Sequence, residues 1–120
     1  MGLNWVYNKQ DFTEDLIGDN YGFVYQITNL TNGKKYIGKK FFYSTKTKQV
    51  KGKKKRYKSF SDWQTYYGSS DLLKQDVIQY GKESFLRVIL HLCQSKGECG
   101  YLEAKEQFNN NVLESDEYYN

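Results

Sequence analysis

A dense group of basic side chains in the middle of this 120-residue sequence is able to bind a polyanion. Twelve basic residues and no acidic ones fall within residues 20–61, whereas residues 1–19 carry a net charge of −3 and residues 62–120 a net charge of −5. Such a block repels itself unless it meets negative charge, so nucleic acid is the expected partner, and a solvated lysine-rich loop is the alternative. The twelve residues are Lys34, Lys35, Lys39, Lys40, Lys46, Lys48, Lys51, Lys53, Lys54, Lys55, Arg56 and Lys58.

Two tyrosines, Tyr25 and Tyr36, fall on the arms of a predicted β-hairpin. Residues 22–29 are rich in β-branched and aromatic residues, and residues 34–38 form the returning strand. Between them, Asn32-Gly33 is the strongest short hairpin signal and predicts φ > 0 at both positions. The two hydroxyls could point to one face of the sheet, although paired tyrosines on a hairpin often do no more than pack a core.

The rest of the pattern predicts one further strand and two helices. A helix over 72–80 is expected between a cap in Ser69-Ser70-Asp71 and Gly81, and the apolar run 85–93 has the length of a strand. A last helix is expected over about 98–109, with Tyr101, Leu102, Lys105 and Phe108 on one side. Residues 41–60 have no clear period and are predicted to be a long basic loop or an irregular ribbon.

This order of elements predicts an α+β fold, in which a small antiparallel sheet of the hairpin and one later strand is flanked by helices. Residues 1–21 are expected to be an acidic N-terminal extension. Residues 22–120 are expected to form one domain with a basic insertion at about 41–60, ending in a peripheral tail from Leu113 onward.

Composition excludes several classes of protein. The chain is 38% hydrophobic and 18% aromatic, which argues against disorder, and its longest apolar runs fall well short of the roughly 20 residues of a membrane span. A soluble, intracellular protein is therefore expected. Cys93, Cys99 and His91 are too few for a four-ligand zinc site, so all three are interpreted as structural, and Arg87 is expected to point outward from its strand.

The hairpin resembles the signature of the GIY-YIG nuclease superfamily. Phe23-Val24-Tyr25 stands where the first tripeptide would be, with Phe and Val replacing Gly and Ile, and Tyr36-Ile37-Gly38 matches the second. The resemblance extends over about residues 22–120 and is closest to a branch found in phage-encoded endonucleases. The downstream segments that carry it are Trp63, Tyr66-Tyr-Gly-Ser-Ser70, Tyr80-Gly81-Lys82, the strand from Phe85, and Tyr101-Leu-Glu-Ala-Lys-Glu-Gln-Phe108.

The resemblance implies a DNA endonuclease that hydrolyses phosphodiester bonds in the cytoplasm. For the phage-encoded branch, this would be the cytoplasm of an infected bacterium. Tyr25 and Tyr36 would serve as proton acceptor and as positioner of water or phosphate. A carboxylate on the last helix would hold a divalent cation, and Glu103 is preferred to Glu106. Mg²⁺, or another divalent cation such as Mn²⁺, is expected because a hard cation is often held by one carboxylate with waters and substrate oxygens.

The superfamily arginine that binds the scissile phosphate has no match at its usual place after the second tripeptide. Arg56 is the expected substitute, with Lys39 and Lys40 as rivals, although lysine cannot bind a phosphate bidentately. Gly38 and the late Asn120 resemble supporting residues of the family site. The basic residues expected to bind DNA are Lys39, Lys40, Lys53, Lys54, Lys55, Arg56 and Lys58.

The sequence leaves a second class of function open. A non-catalytic nucleic-acid-binding module could keep the same fold and use the basic stretch for affinity through counterion release.

Overall fold

A central three-stranded antiparallel sheet organises the protein, whose computed structural model describes residues 3–120. Strand β3 (Gly22–Asn29) lies in the middle and pairs with β4 (Lys35–Phe41) on one side and with β7 (Phe85–Cys93) on the other. The predicted hairpin and later strand, and with them the α+β class, are confirmed.

Residues before the hairpin extend this sheet. Strands β1 (Val6–Tyr7) and β2 (Gln10–Asp11) give the order β2-β1-β7-β3-β4, and β1 runs parallel to β7, so the sheet is not wholly antiparallel. Trp5, Phe12 and Ile17 are buried in the core. The expected extension over residues 1–21 is therefore packed into the domain from residue 3 onward; residues 1 and 2 lie outside the described part of the chain.

Arg87 explains part of this packing and corrects the expectation that it points outward. Its side chain is only 4% exposed, and the guanidinium lies between the rings of Trp5 and Tyr67, at 4.6 and 4.2 Å from their centroids. It donates hydrogen bonds to the carbonyl oxygens of Gln64, Tyr66 and Leu3. An arginine on an apolar strand thus joins the N-terminal segment to residues 64–67.

Both helices form where the sequence predicts them. Helix α1 (Asp71–Tyr80) begins at Ser70, whose Oγ accepts from the Leu73 N–H at 3.3 Å, and ends at Gly81, where φ is 88°. Helix α2 (Lys96–Asn109) begins at Ser95, whose Oγ accepts from the Glu98 N–H at 3.1 Å. These hydrogen bonds satisfy amide groups that a helix start otherwise leaves without a partner.

The buried face of α2 includes Leu102 alone of the four residues that the sequence puts on one side of this helix. Tyr101 and Phe108 are exposed, the latter at 82%, whereas Cys99 is buried and Leu102 packs beside it. Period alone could not identify the face because the helix also turns polar side chains toward the sheet, among them Glu103 and Glu106.

The sheet has a core on each face. Under α2 the buried residues are small and aliphatic, and they include both free cysteines. The opposite face carries a cluster of aromatic rings around Phe23 and Phe42, closed by α1 and a short 3₁₀ turn at Trp63–Thr65. Burial raises the pKa of the Cys93 thiol, in keeping with its expected structural role.

The C-terminal residues also pack against the domain, although a peripheral tail was expected. Val112 and Tyr119 are buried, and Tyr118 forms a bridge to Lys35 on β4. The Tyr119 hydroxyl donates to Asp76 at 2.6 Å, and burial, with help from this bond, raises the pKa of Tyr119 to about 12.

The hairpin loop is longer than the predicted two-residue turn. It runs from residue 30 to 34, and only Gly33, with φ of 78°, has the positive φ expected of both Asn32 and Gly33. The cause is the buried Asn29, whose side-chain oxygen accepts from the N–H and the hydroxyl of Thr31 and thereby folds the loop back.

Residues 43–60 form a regular two-stranded antiparallel ribbon, which we call the basic ribbon. Strands β5 (Tyr43–Val50) and β6 (Lys53–Phe60) pair in unbroken register from Tyr43↔Phe60 to Val50↔Lys53. This segment was expected to be a loop or an irregular ribbon, and it is instead regular β-structure. Most of its side chains are exposed, so the sequence has no hydrophobic period that would have predicted the strands. The structure does not describe the side chain of Lys46.

Across residues 3–120 no helix is both long enough and apolar enough to cross a membrane.

Replacement of Trp5 tests whether the N-terminal segment belongs to the domain. Trp5→Ala should lower the free energy of unfolding by about 3–5 kcal/mol, because it empties a core position and removes the indole hydrogen bond to the Trp63 carbonyl. Chemical denaturation measures the loss. Leu16→Ala is the control, since Leu16 is exposed and should change stability by no more than about 0.5 kcal/mol. Equal effects of the two variants would show that residues 3–21 are an appendage after all.

Candidate active site

Tyr25 and Tyr36 lie on the same face of the β3–β4 hairpin, as the sequence predicts. They are not directly opposite: Tyr25 pairs with Gly38, and Tyr36 pairs with Ile27. Their ring centroids are 6.1 Å apart along this diagonal. Tyr25 is 1% exposed and Tyr36 half-buried, so the pair reaches from the core to the surface.

Gly38 is required by the position of the Tyr25 ring. A Cβ atom at residue 38 would lie 2.6 Å from the Tyr25 hydroxyl oxygen and 2.9 Å from Cε2 of Tyr36. No side chain fits there unless both rings move. The glycine of the second tripeptide is therefore explained by the close approach of the Tyr25 phenol to the β4 backbone.

A third tyrosine completes the group, and we call Tyr25, Tyr36 and Tyr66 the tyrosine cluster. The Tyr66 ring meets that of Tyr25 edge-on, with centroids 6.0 Å apart. Ser69 Oγ lies 2.8 Å from the Tyr36 hydroxyl oxygen, which fixes the outer end of that ring. The chain turns between these residues at Gly68, where φ is 88°.

Lys40 brings positive charge to this face. Its ammonium lies 4.1 Å from the centroid of the Tyr66 ring and 2.6 Å from a carboxylate oxygen of Asp62. The hydrogen bond from Lys40 lowers the pKa of Asp62, so that carboxyl is ionised at neutral pH. Lys40 is thereby held beside the tyrosine cluster.

Glu103 reaches the same region from α2. Its Oε1 lies 3.4 Å from Nζ of Lys39, and its side chain is 23% exposed. The carboxylate is close enough to Tyr25 for its negative charge to help raise the pKa of that phenol. The structure thus brings together Tyr25, Tyr36 and Glu103, with Lys39 and Lys40 beside them.

Glu106, the alternative carboxylate, has other partners. Its Oε1 lies 2.8 Å from Nε2 of His91, and its Oε2 accepts from the Asn110 amide at 3.3 Å. His91 therefore pairs with a carboxylate between β7 and α2, an arrangement that fits the structural role expected of it.

Tyr25 is held in its neutral form. Burial is the main cause that raises its pKa far above the usual value near 10, and the neighbouring hydroxyls of Tyr66 and Tyr36 and the charge of Glu103 add to it. Without a nearby positive charge, this phenol can donate and accept hydrogen bonds but does not become a phenolate.

No described contact joins Arg56 to the tyrosine cluster, and the expectation that it substitutes for the family arginine stays a prediction. Arg56 is exposed on β6 opposite Thr47, four residue pairs beyond the Tyr43↔Phe60 base of the basic ribbon, about 13 Å along the strands. Of the expected rivals, the fold places Lys40 beside the tyrosine cluster and Lys39 beside Glu103. Of the other residues expected to bind DNA, Lys53, Lys54, Lys55 and Lys58 lie on β6 with Arg56.

Asn120 supports the second tripeptide through the backbone of Ile37. Its amide oxygen accepts from the Ile37 N–H at 3.0 Å, and its amide nitrogen donates to the Ile37 carbonyl at 2.8 Å. Gln107 of α2 donates to the same carbonyl at 3.0 Å. β4 is an edge strand of the main sheet, so these side chains take the place of a neighbouring strand and hold Tyr36 and Gly38 in position.

The donor groups fit one kind of metal ion. Within residues 3–120, no three His, Cys, Asp or Glu side chains come together as a preformed metal site. A partly exposed single carboxylate such as Glu103 suits a hard cation that keeps several waters and completes its shell with substrate oxygens, as Mg²⁺ does.

The sequence assigns no role at the site to Tyr66, Ser69 or Asp62, although the run 66–70 carries part of the family resemblance. Its contribution depends on the turn at Gly68, which folds this run over Tyr36: a Cβ at residue 68 would lie 3.4 Å from that ring.

Comparison with known proteins agrees with this arrangement. A family model described as "Putative endonuclease segE, GIY-YIG domain" matches residues 5–120. The chain belongs to the GIY-YIG endonuclease family. It is 35% identical over 100 residues to the "Putative endonuclease segE" of Enterobacteria phage T4. That alignment covers 83% of this chain and 40% of the phage protein, so the chain spans less than half the length of this GIY-YIG relative. No solved structure gave a significant match.

Replacement of Gly38 tests the close approach of the Tyr25 phenol. Gly38→Ala should destabilise this GIY-YIG domain by about 1–3 kcal/mol, because the new methyl group displaces both tyrosine rings. Removal of the hydroxyl in Gly38→Ala/Tyr25→Phe relieves the shortest contact, so the two changes together should cost less than the sum of their separate effects.

Gly97 provides the matched glycine, because it lies in α2 with open space around its would-be Cβ. Gly97→Ala should leave stability unchanged or raise it by up to about 1 kcal/mol in chemical denaturation. Strict additivity of the Gly38 and Tyr25 changes would contradict the contact.

The raised pKa of Tyr25 predicts a pH dependence of stability. The folded protein keeps Tyr25 protonated while the unfolded chain loses that proton above about pH 10, so this contribution is fully present below pH 10 and is lost as pH rises. Above pH 10 the free energy of unfolding of the wild type should therefore fall more steeply than that of Tyr25→Phe, by about 1.4 kcal/mol per pH unit. Urea unfolding between pH 8 and 11 measures both slopes. Parallel curves would mean that Tyr25 ionises as freely in the folded state as in the unfolded one.

Proposed function

We propose that this chain is the catalytic domain of a metal-dependent DNA endonuclease that hydrolyses phosphodiester bonds. The observation that carries the proposal is that Tyr25 and Tyr36 meet at Gly38, with Glu103 close enough to act on the Tyr25 phenol through its charge, in a chain of the GIY-YIG family. Phosphodiester hydrolysis needs a positioned water, positive charge at the phosphate and usually a divalent cation, and the residues of this site fit each need.

Glu103 is proposed as the metal ligand in preference to Glu106. Glu106 is engaged by His91 and Asn110, whereas Glu103 has only the longer contact to Lys39 and lies toward the tyrosines. A bound Mg²⁺ or Mn²⁺ would polarise the phosphoryl oxygen and lower the pKa of a bound water. Lys39 occupies one side of the Glu103 carboxylate. Once a metal ion also binds that carboxylate, Lys39 would move toward the substrate phosphate.

Tyr25 and Tyr36 are proposed to differ in role because they differ in burial. The buried Tyr25 is neutral, so its hydroxyl can orient a water by hydrogen bonds. It would accept a proton only as the phenolate, which a cation bound close to it would favour. Tyr36 extends farther out, where its hydroxyl shares a hydrogen bond with Ser69 and can bind a phosphate oxygen.

Lys39 and Lys40 are proposed to provide the phosphate contact expected of Arg56. Both follow Gly38 directly on β4, and the Asp62 carboxylate keeps Lys40 over the Tyr66 ring. As point charges they neutralise a phosphate but do not form the bidentate grip of a guanidinium. Action on DNA inside a bacterial cell, during phage infection, is part of the same proposal and is supported by the phage T4 relative.

A non-catalytic DNA-binding module is the second candidate. The Lys39–Glu103 ion pair favours this candidate. In a protein that binds no metal, the charge of the Glu103 carboxylate would need another cation to balance it, and Lys39 provides one. In this case the chain binds DNA with a steep salt dependence and cleaves none.

Plasmid cleavage with Mg²⁺ separates the two candidates. The wild type should convert supercoiled plasmid to nicked or linear DNA, and Tyr25→Phe should slow this by at least about 100-fold through loss of the water-orienting hydroxyl. Glu103→Gln should lose activity to a similar extent because a neutral amide holds Mg²⁺ poorly. Glu106→Gln is the matched control from the same helix and should stay within about fivefold of the wild type.

The contrary outcomes are distinct. If Glu106→Gln loses activity while Glu103→Gln keeps it, the choice of ligand is wrong but the nuclease remains. Cleavage that persists in Tyr25→Phe and in both carboxylate variants contradicts the proposed site. DNA binding without metal-dependent cleavage in the wild type selects the binding module.

A further inference from the structure

Among the side chains that the structure describes, none forms an ion pair that balances the charge of the basic ribbon. Residues 43–60 hold eight basic residues and no acid. Lys48 lies directly opposite Lys55, a cross-strand pair of like charges that is unfavourable by itself. Among the described side chains, the ion pairs involve Lys39, Lys40 and His91 and none of the ribbon residues. The ribbon is therefore built for a negatively charged partner outside this chain.

Its shape narrows the choice of partner. Eight residue pairs at about 3.3 Å per residue make a rod roughly 23 Å long. The molecule measures 53 × 29 × 28 Å, so its long axis exceeds the other two by about the length of the ribbon. The side chains of β6 are exposed along nearly its whole length. A flat anionic surface would contact only part of such a rod, whereas a groove encloses it.

The dimensions match the major groove of B-form DNA. That groove is about 12 Å wide and admits a two-stranded β-ribbon, whose strands lie about 4.8 Å apart. The major groove of A-form RNA is deep and too narrow for side chains to read, so duplex RNA is disfavoured.

The ribbon has a defined structure at its tip and at its base. At the tip, Lys51 and Gly52 have φ of 50° and 77°, as a two-residue turn that preserves the strand twist requires. Lysine is an uncommon residue at positive φ, and here it puts one more charge at the end of the rod. At the base, the stacked rings of Tyr43 and Phe60 lie 5.2 Å apart, and Ser61 donates to the Phe41 carbonyl at 2.6 Å.

The base also joins the ribbon to the candidate active site. β5 begins two residues after β4 ends, and the intervening Phe42 is buried in the aromatic core. The Lys40–Asp62 ion pair joins the chain just before residue 43 to the chain just after residue 60, at the base of the ribbon. If the ribbon lies in a groove of DNA, its position there would therefore determine where the tyrosine cluster contacts the DNA backbone.

One face of the ribbon carries groups that can distinguish bases. On β6, Lys54, Arg56 and Lys58 alternate on this face, and Thr45, Thr47 and Gln49 lie opposite them on β5. Arginine forms bidentate hydrogen bonds to guanine O6 and N7, and glutamine does the same to adenine. Lys48 and Lys55 lie on the other face and are long enough to reach backbone phosphates on either side.

We propose that the basic ribbon lies in the major groove of duplex DNA with its Arg56 face toward the bases, and that Arg56 is a specificity-determining residue. This rests on the proposed action on DNA. It gives Arg56 a role that its distance from the tyrosine cluster allows, in place of the catalytic role expected from the sequence.

The groove is tested with the wild-type protein in EDTA, so that no cleavage is needed. The probe is a 30-base-pair DNA duplex selected by the protein from a pool with a randomised centre. Replacement of its guanines by 7-deazaguanine, which lacks the N7 acceptor in the major groove, should weaken binding by about tenfold or more. Duplex RNA of the same sequence should compete at least tenfold less well. Equal binding to the deazaguanine probe, or equal competition by the RNA duplex, overturns the groove assignment.

The face is tested with two neighbouring substitutions on β6. Arg56→Lys keeps the charge and should reduce the preference for the selected sequence over a scrambled one by about tenfold. Lys55→Ala, on the opposite face, should weaken binding to both sequences equally and lower the slope of log affinity against log salt by about one. Both residues are exposed, so unchanged thermal unfolding should show that the fold is intact. Selection that enriches no sequence, or an Arg56→Lys variant with full preference, overturns the role of Arg56.

Failure here and failure of the proposed nuclease can be told apart. Groove binding with no plasmid cleavage in Mg²⁺ leaves the ribbon assignment standing and rejects catalysis. Cleavage that depends on Tyr25 and Glu103 while deazaguanine has no effect rejects only the ribbon assignment.

Discussion

The close approach of the Tyr25 phenol to the backbone at Gly38 is the constraint on which the candidate site depends. The ring occupies the space that any side chain at residue 38 would need, so strand β4 carries a glycine at the centre of its second tripeptide. This contact buries Tyr25 and keeps it neutral, and it leaves the neighbouring Tyr36 to extend outward. Packing and chemistry therefore cannot be separated at this residue: the same burial that stabilises the core determines the protonation state available for catalysis.

An edge strand bears most of the proposed active groups, and edge strands are not rigid by default. β4 has a neighbouring strand of the main sheet on one side only. On the free side, Asn120 and Gln107 bond the Ile37 backbone, and residues near the C-terminus pair with Lys35. Residues of the C-terminal part of the domain thus hold this strand, in keeping with the burial of Tyr119.

The sequence predicted the parts of the fold whose signals are local. Strand alternation, the capping serine and Gly81 around α1, the helical spacing in α2 and the apolar run of β7 identified the hairpin, both helices and the later strand. The paired tripeptides identified the tyrosines. What could not be predicted depends on partners far apart in the chain. Arg87 seemed to belong at the surface because its acceptors are backbone carbonyls on other segments, and residues 3–21 seemed peripheral because their three core side chains are widely spaced among acidic ones.

The role of Arg56 is subject to the same limit. A guanidinium suits both a scissile phosphate and a guanine edge, so its chemistry alone could not decide between them. Its register favours the guanine edge, because Arg56 is exposed about 13 Å along the strands from the base of the ribbon. Lys40 beside the tyrosine cluster and Lys39 beside Glu103 are then the cations of the site, and lysine there carries a cost in phosphate geometry. A second, well-anchored contact with the duplex would offset that cost by fixing the backbone before it reaches the site.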